Sequence, residues 1–169
     1  TENLHQYLSE PLHFAMAMVA CDDADGLAAG AMTPSGDVIR AAIRMIGIRP
    51  TANNVSSIFF MISPDGEKAF TFGDCAVIPE PDSRQLAAIA AESTDLHQLL
   101  TGEEPIVAFL SFSTKGSASH YRVDKVKEAV EIFGREHPQI IHDGELQVDA
   151  AIIPDVNRLK VPGSPIEGR

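Results

Sequence analysis

Positive charge is scarce in this sequence. Thirteen Lys and Arg stand against 24 Asp and Glu, a formal net charge of −11 over 169 residues. Such a surface repels nucleic-acid phosphates and anionic lipid, which argues against nucleic acid and membrane as partners. Small anionic ligands stay open, because one pocket of arginine and backbone N–H groups binds phosphate on a negative protein. Cysteine is nearly absent. Cys21 and Cys75 are far apart and make no metal-spacing motif and no redox pair. Both fall in apolar or strand-like stretches, which predicts buried, reduced structural thiols in a cytoplasmic protein. Long hydrophobic runs are missing too. None approaches the ~18 apolar residues of a spanning helix, and the first residues show no signal-peptide pattern. The 11 prolines and 12 glycines are scattered, which excludes a fibrous or low-complexity chain. With 44% apolar residues, the chain has the length and composition for a sizeable globular core.

Hydrophobic periodicity orders what is present. Residues 1–10 are polar and carry no clear pattern. Leu12, Ala15, Met16 and Val19 recur at helical spacing, so 11–21 is predicted helical, with Pro11 in its first turn. Gly26 to Met32, small and apolar, is predicted as a buried strand. Pro34, Ser35 and Gly36 break it, and Ile39, Ala42, Ile43 and Ile46 mark a helix over 36–46. Val55–Ile62 predicts a strand, Pro64-Asp65-Gly66 a turn, and Phe70 with Phe72 a returning strand, together an antiparallel hairpin. Leu86, Ile89, Leu96 and Leu100 define a long helix, and Ile106–Phe112 a fully buried strand. A helix follows with Val123, Val126, Val130 and Phe133 on one face. Ile140–His142 reads as a short strand, Asp143-Gly144 as a turn, and the next stretch as a helix interrupted near Pro154. The segment 161–169 has no helical period and reads as unanchored. Strands alternating with helices place the chain in the α/β class, as a layered mixed sheet with an antiparallel hairpin attached.

Three places carry the residue types that chemistry needs. The first is the loop 111–119, with Ser113, Thr114, Lys115, Gly116 and Ser117 between a buried strand and a helix. Ligands of open α/β sheets gather at the carboxyl ends of strands, and a hydroxyl-rich turn entering a helix offers N–H groups to an anion. An ordinary helix-capping turn has the same composition, and the GxxxxGK[ST] spacing of a Walker loop is absent. The second is the turn from Thr33 to Arg40. Asp37 falls in the first helical turn and Arg40 one turn on, where a guanidinium can grip phosphate bidentately or simply point into solvent. The third, His142-Asp143-Gly144-Glu145, has metal-ligand types at a spacing that matches no strong signature. Ser113 lacks a GxSxG elbow and a base, which argues against a serine hydrolase.

These same stretches carry a resemblance. SFSTKGSA at 111–118, DGELQVDAAI at 143–152 and PGSPIEGR at 162–169 resemble the phosphate acetyltransferase (phosphotransacetylase) family. So do DADGLAAGA at 23–31, DVIRAAIRMIG at 37–47, SSIFFM at 56–61 and FGDCAVIP at 72–79. The resemblance runs through nearly the whole chain after about residue 10. It implies a central fragment of the family's sequence, without its N-terminal and C-terminal segments. It further implies an isocitrate/isopropylmalate dehydrogenase-like fold. Residues 1–50 would then close a first α/β domain, and 51–169 would make an incomplete second one, the two flanking a cleft. The implied reaction transfers acetyl between acetyl phosphate and coenzyme A. Coenzyme A is a substrate, no cofactor or metal is used, and the protein is a homodimer. Asp37 and Arg40 align with the family's phosphoryl-holding region, and 113–117 with the same cleft. The family's catalytic serine, arginine and aspartate are implied beyond Arg169, so residues 1–169 alone are expected to be inactive. The run Met32–Gly36 departs from the family's hydroxyl-rich pattern. Two other functions fit the same resemblance: an acyl-coenzyme A-sensing domain of a malic-enzyme-type fusion, and a phosphate butyryltransferase.

Overall fold

A computed structural model describes every residue except Thr1, Thr51 and Asn53, and for Glu2 the backbone alone. The chain divides into two compact units, residues 1–54 and 55–169.

The first unit is helical among the described residues: α1 (Glu2–Leu8), α2 (Pro11–Ala20) and α3 (Ser35–Met45). Pro11 sits in the first turn of α2, where its missing N–H has no partner to lose. Helix α1 was not foreseen. It packs on α2, with Tyr7 stacked on His13 at 3.8 Å between ring centroids. Helices α2 and α3 pack together, and each buries one apolar residue, Met16 and Ala41. The expected strand at Gly26–Met32 does not form. That stretch is exposed throughout, and Met32 is 95% accessible. Glycine and alanine bury too little area to hold an extended segment that has no strand beside it. The cysteine reading is also corrected. Cys21 is exposed at the C-cap of α2 and Cys75 is half-buried, both free thiols.

The second unit begins with the expected hairpin. Strands β1 (Phe59–Ile62) and β2 (Ala69–Phe72) pair antiparallel, with Phe59 opposite Phe72 and Ile62 opposite Ala69. The turn closes by a Gly66 N–H to Ser63 O bond of 2.8 Å, with Gly66 at φ +78°. Helix α4 (Ser83–Thr101) starts earlier than its apolar period. Asp82 accepts from the Gln85 N–H and Gln85 answers to the Asp82 N–H, a reciprocal capping box. Gly102, left-handed at φ 74°, ends it.

Strand β3 (Ile106–Leu110), helix α5 (Tyr121–Glu136) and strand β4 (Ile141–Leu146) form a parallel βαβ unit. Phe109 meets Phe133 edge-on at 5.5 Å, and around them Ala87, Val126, Ala129 and Ile132 close one core. Two expectations change here. The strand after Pro105 is not fully buried, since Leu110 is exposed and β3 is paired on one side only. Asp143-Gly144 is not a turn but the middle of β4. Gly144 makes this possible, because a Cβ there would sit 2.7 Å from the Phe109 Cβ and 2.8 Å from the Val130 Cγ2.

Helices α6 (Val148–Ile152) and α7 (Pro154–Lys160) follow, broken at Pro154 as expected. The segment after them is anchored, contrary to its composition. Val161 and Ile166 join Leu146, Ala150 and Ala151 in a second core, and Ile166 is 1% exposed. The fold is mixed α/β with small sheets. The single layered sheet expected from the sequence is not formed among the described residues, which make two separate two-stranded sheets.

Three substitutions test this packing, one of them as a control. Gly144→Ala should lower the urea midpoint by an amount worth about 1–3 kcal/mol through overpacking. Gly26→Ala, with nothing within 4 Å of a new Cβ, should leave it in place. Ile166→Ala should destabilise by about 2–5 kcal/mol. A neutral Ile166 variant would show that the segment after α7 is not part of the core.

Candidate functional site

The register of β3 and β4 slips at one point. Phe109 pairs with Gly144, but Leu110 pairs with Leu146, leaving Glu145 as the extra residue of a bulge. A bulge re-aims its side chain, and Glu145 turns toward the loop after β3. Its carboxylate is 2% exposed. Oε1 accepts from the Gly116 N–H at 2.6 Å and from the Ser113 Oγ at 2.9 Å, with the Lys127 Nζ 3.9 Å away.

The loop is shaped to make those bonds. Lys115 (φ 47°) and Gly116 (φ 85°) are consecutive left-handed residues, a turn that points backbone N–H groups inward. Ser113, fully buried, also accepts from the Ala118 N–H at 3.1 Å. The Thr114 Oγ1 donates to Gln147 Oε1 at 3.2 Å and accepts from the Gln147 N–H at 3.0 Å. The Ser117 Oγ accepts from the Thr114 N–H at 3.0 Å. An anion-ready turn was expected here, and the anion it holds is the protein's own carboxylate.

Lys115 turns outward from the same turn. Its Nζ bonds Asp143 and, at 2.8 Å, the Gly144 carbonyl, while the side chain stays 41% exposed. The other oxygen of Asp143 accepts from the Ser164 Oγ at 2.6 Å, which ties the segment after α7 to β4. Burial pushes both carboxyls up, but their donors outweigh it. Asp143 is held below its ordinary range by Lys115, Ser164 and the Gly144 N–H. Glu145 is held below by the Gly116 N–H, its own N–H, Ser113 and the Lys127 charge.

In the first unit, Arg40 and Asp37 are ion-paired one turn apart on α3 through a single guanidinium nitrogen, Nη2. Arg40 is 65% exposed and Asp37 about half. Helix α3 begins at Ser35 after Pro34, with no side-chain cap. His120, beside the loop, caps α5 by accepting the Arg122 N–H at 3.2 Å.

The His142–Glu145 quartet is dispersed. The His142 ring packs on Phe133 with its Nδ1 2.8 Å from the Ile140 carbonyl, while Asp143 and Glu145 serve separate donors. Among the described residues no group of three or more His, Cys, Asp or Glu is gathered for a metal. Sequence reasoning weighed Glu145 only as a ligand and missed Ser164, Gln147 and Lys127. No sequence signal marked them, because Asp143-Gly144 reads as a turn and the burial of Glu145 is set by tertiary packing.

A family model described as phosphate acetyl/butaryl transferase matches residues 1–169. The chain belongs to that family. It is 45% identical to a phosphate acetyltransferase of Thermoanaerobacterium thermosaccharolyticum, over 99% of this chain and 52% of that protein. It is 42% identical to one of Nitrosomonas europaea, over 98% of this chain and 25% of that protein. Among solved structures, a phosphotransacetylase from Streptococcus pyogenes aligns with a TM-score of 0.85 at 35% identity, over 99% of this chain and 51% of that one. One from Staphylococcus aureus aligns at 0.79 and 43% identity, over 94% and 48%. The chain thus spans about half the length of most of these phosphate acetyltransferase relatives. Among the described residues no helix is long and apolar enough to cross a membrane.

The two depressed carboxyls set an acid dependence. Each contributes its full stability above the ordinary carboxylate range near pH 4, and loses it as pH falls through the lowered folded value. Glu145→Gln should therefore lower stability at pH 7 by about 1–3 kcal/mol and make the acid limb shallower. Urea midpoints measured from pH 3 to 7 read both effects. An acid limb as steep as that of the parent protein would remove Glu145 from this role.

Proposed function

We propose that the full-length protein is a phosphate acetyltransferase, moving acetyl between acetyl phosphate and coenzyme A. The match that carries this reading is family membership along residues 1–169, with relatives at 42–45% identity that bear this name. The family description spans acetyl and butyryl substrates, and those relatives favour the shorter chain. In this reaction the thiol sulfur of coenzyme A attacks the acetyl carbonyl carbon. The carbonyl–phosphate C–O bond then breaks, phosphate leaves, and the thiol proton passes to a base. Donors must meet the carbonyl oxygen and the leaving phosphate.

Arg40 is the residue of this chain best suited to the phosphate. Asp37 engages Nη2 alone, and the side chain is mostly exposed, so the rest of the guanidinium stays available to a phosphoryl group. Ser113, Thr114, Gly116 and Ser117 contribute by shaping the loop. Lys115 contributes the charge, with two of its three N–H groups engaged by Asp143 and Gly144. We read residues 1–50 as the end of the first domain and 51–169 as part of the second, in an isocitrate dehydrogenase-like, dimeric, cytoplasmic enzyme.

Coupled formation of acetyl-coenzyme A by the full-length protein tests the assignment. Binding of coenzyme A without turnover would favour the sensing-domain reading instead. Arg40→Ala should cut kcat/KM for acetyl phosphate about 10- to 100-fold, the loss of a charge-assisted contact. An unchanged value would return Arg40 to a solvated surface role.

A further inference from the structure

A lysine carries its charge on a flexible stem, and its ammonium takes a defined place only where acceptors hold it. Lys115 is held at both ends. Its backbone N–H donates to the Glu145 carbonyl at 3.1 Å, and its Nζ donates to Asp143 Oδ1 and to the Gly144 carbonyl. Asp143 is itself nearly buried, so its carboxylate turns as its donors dictate. Oδ1 also accepts from the Gly144 N–H at 2.8 Å, and Oδ2 accepts from the Ser164 hydroxyl at 2.6 Å. Ser164 is placed in turn by the core around it. Val161 and Ile166 on either side are buried in the second apolar cluster. Gly163, left-handed at φ +89°, allows the turn, and the Ser164 N–H closes it on the Val161 carbonyl at 3.0 Å. A hydroxyl fixed by apolar packing thus ends a chain of contacts that begins at a surface cation.

We infer that Ser164 is a positioning residue for a phosphate-bearing substrate, acting through Asp143 on the Lys115 ammonium. This rests on the reading of Lys115 as a substrate contact. With the hydroxyl in place, one oxygen of Asp143 is answered by Ser164 and the other holds Lys115 at a fixed point. Without it, Oδ2 of a nearly buried carboxylate loses its donor, which is costly. Lys115, already bonded to Oδ1, answers Oδ2 instead. Its ammonium then swings between the two oxygens and is drawn toward Asp143, away from the ligand. Both changes weaken the hold on a phosphate group, whether that of acetyl phosphate or those of coenzyme A. Neither touches the reacting carbonyl or thiol, so affinity falls while turnover at saturation holds.

Steady-state kinetics of acetyl-coenzyme A formation by the full-length protein, with each substrate varied in turn, test this. Ser164→Ala should raise KM for one of the two substrates about 3- to 10-fold, the worth of one hydrogen bond, with kcat little changed. The substrate whose KM moves identifies the source of the phosphate. Ser164→Thr, which keeps the hydroxyl, should restore KM. Lys115→Ala should raise the same KM, and adding Ser164→Ala to it should bring no further rise, because the two act through one contact. A further rise in the Lys115→Ala background would overturn the inference, since Ser164 would then act through packing and not through Lys115. If Lys115→Ala raises KM and Ser164→Ala does not, the positioning role fails and the substrate reading of Lys115 stands. If Lys115→Ala moves neither KM, that reading fails and the inference falls with it.

Discussion

A carboxylate taken out of water must be met by donors, and the arrangement after β3 follows from meeting Glu145. The bulge in β4 aims the side chain inward. The left-handed pair Lys115–Gly116 turns an N–H toward it, and Ser113 is buried to donate a hydroxyl. A buried acid without these partners would neutralise or unfold its surroundings. The loop is therefore fixed in shape by the protein's own groups.

That fixation reaches outward through a second carboxylate. Asp143, two residues earlier on β4, takes Lys115 on one oxygen and Ser164 on the other. One strand thereby sets the direction of a surface cation and fastens the segment after α7. Ile166 and Val161, folded beneath, seal the second core.

The two units differ in how they hold together. The second has two apolar clusters and a close-packed glycine at β3–β4. The first buries few large side chains and leaves Phe14, Met32 and Ile43 open to solvent. Arg40 stands on a helix of that lighter unit. Its pairing with Asp37 is an exposed contact, the kind that contributes little to stability.

Much of the fold was legible in the sequence wherever a segment buried one clear face. Helices α2 to α5, the β1–β2 hairpin, strand β3 and the break at Pro154 follow from apolar spacing and from turn residues. The family was legible from long ordered segments. What the sequence could not settle were contacts between distant residues. Gly26–Met32 looked like a strand but has no partner, and 161–169 looked loose but finds a core. The 113–117 turn looked open to an outside anion and is filled by Glu145, 28 or more residues away. Local propensity fixes where a chain can be helical or extended. Only tertiary packing decides which strands find neighbours and which charges answer each other, because those free energies come from groups the sequence does not place side by side.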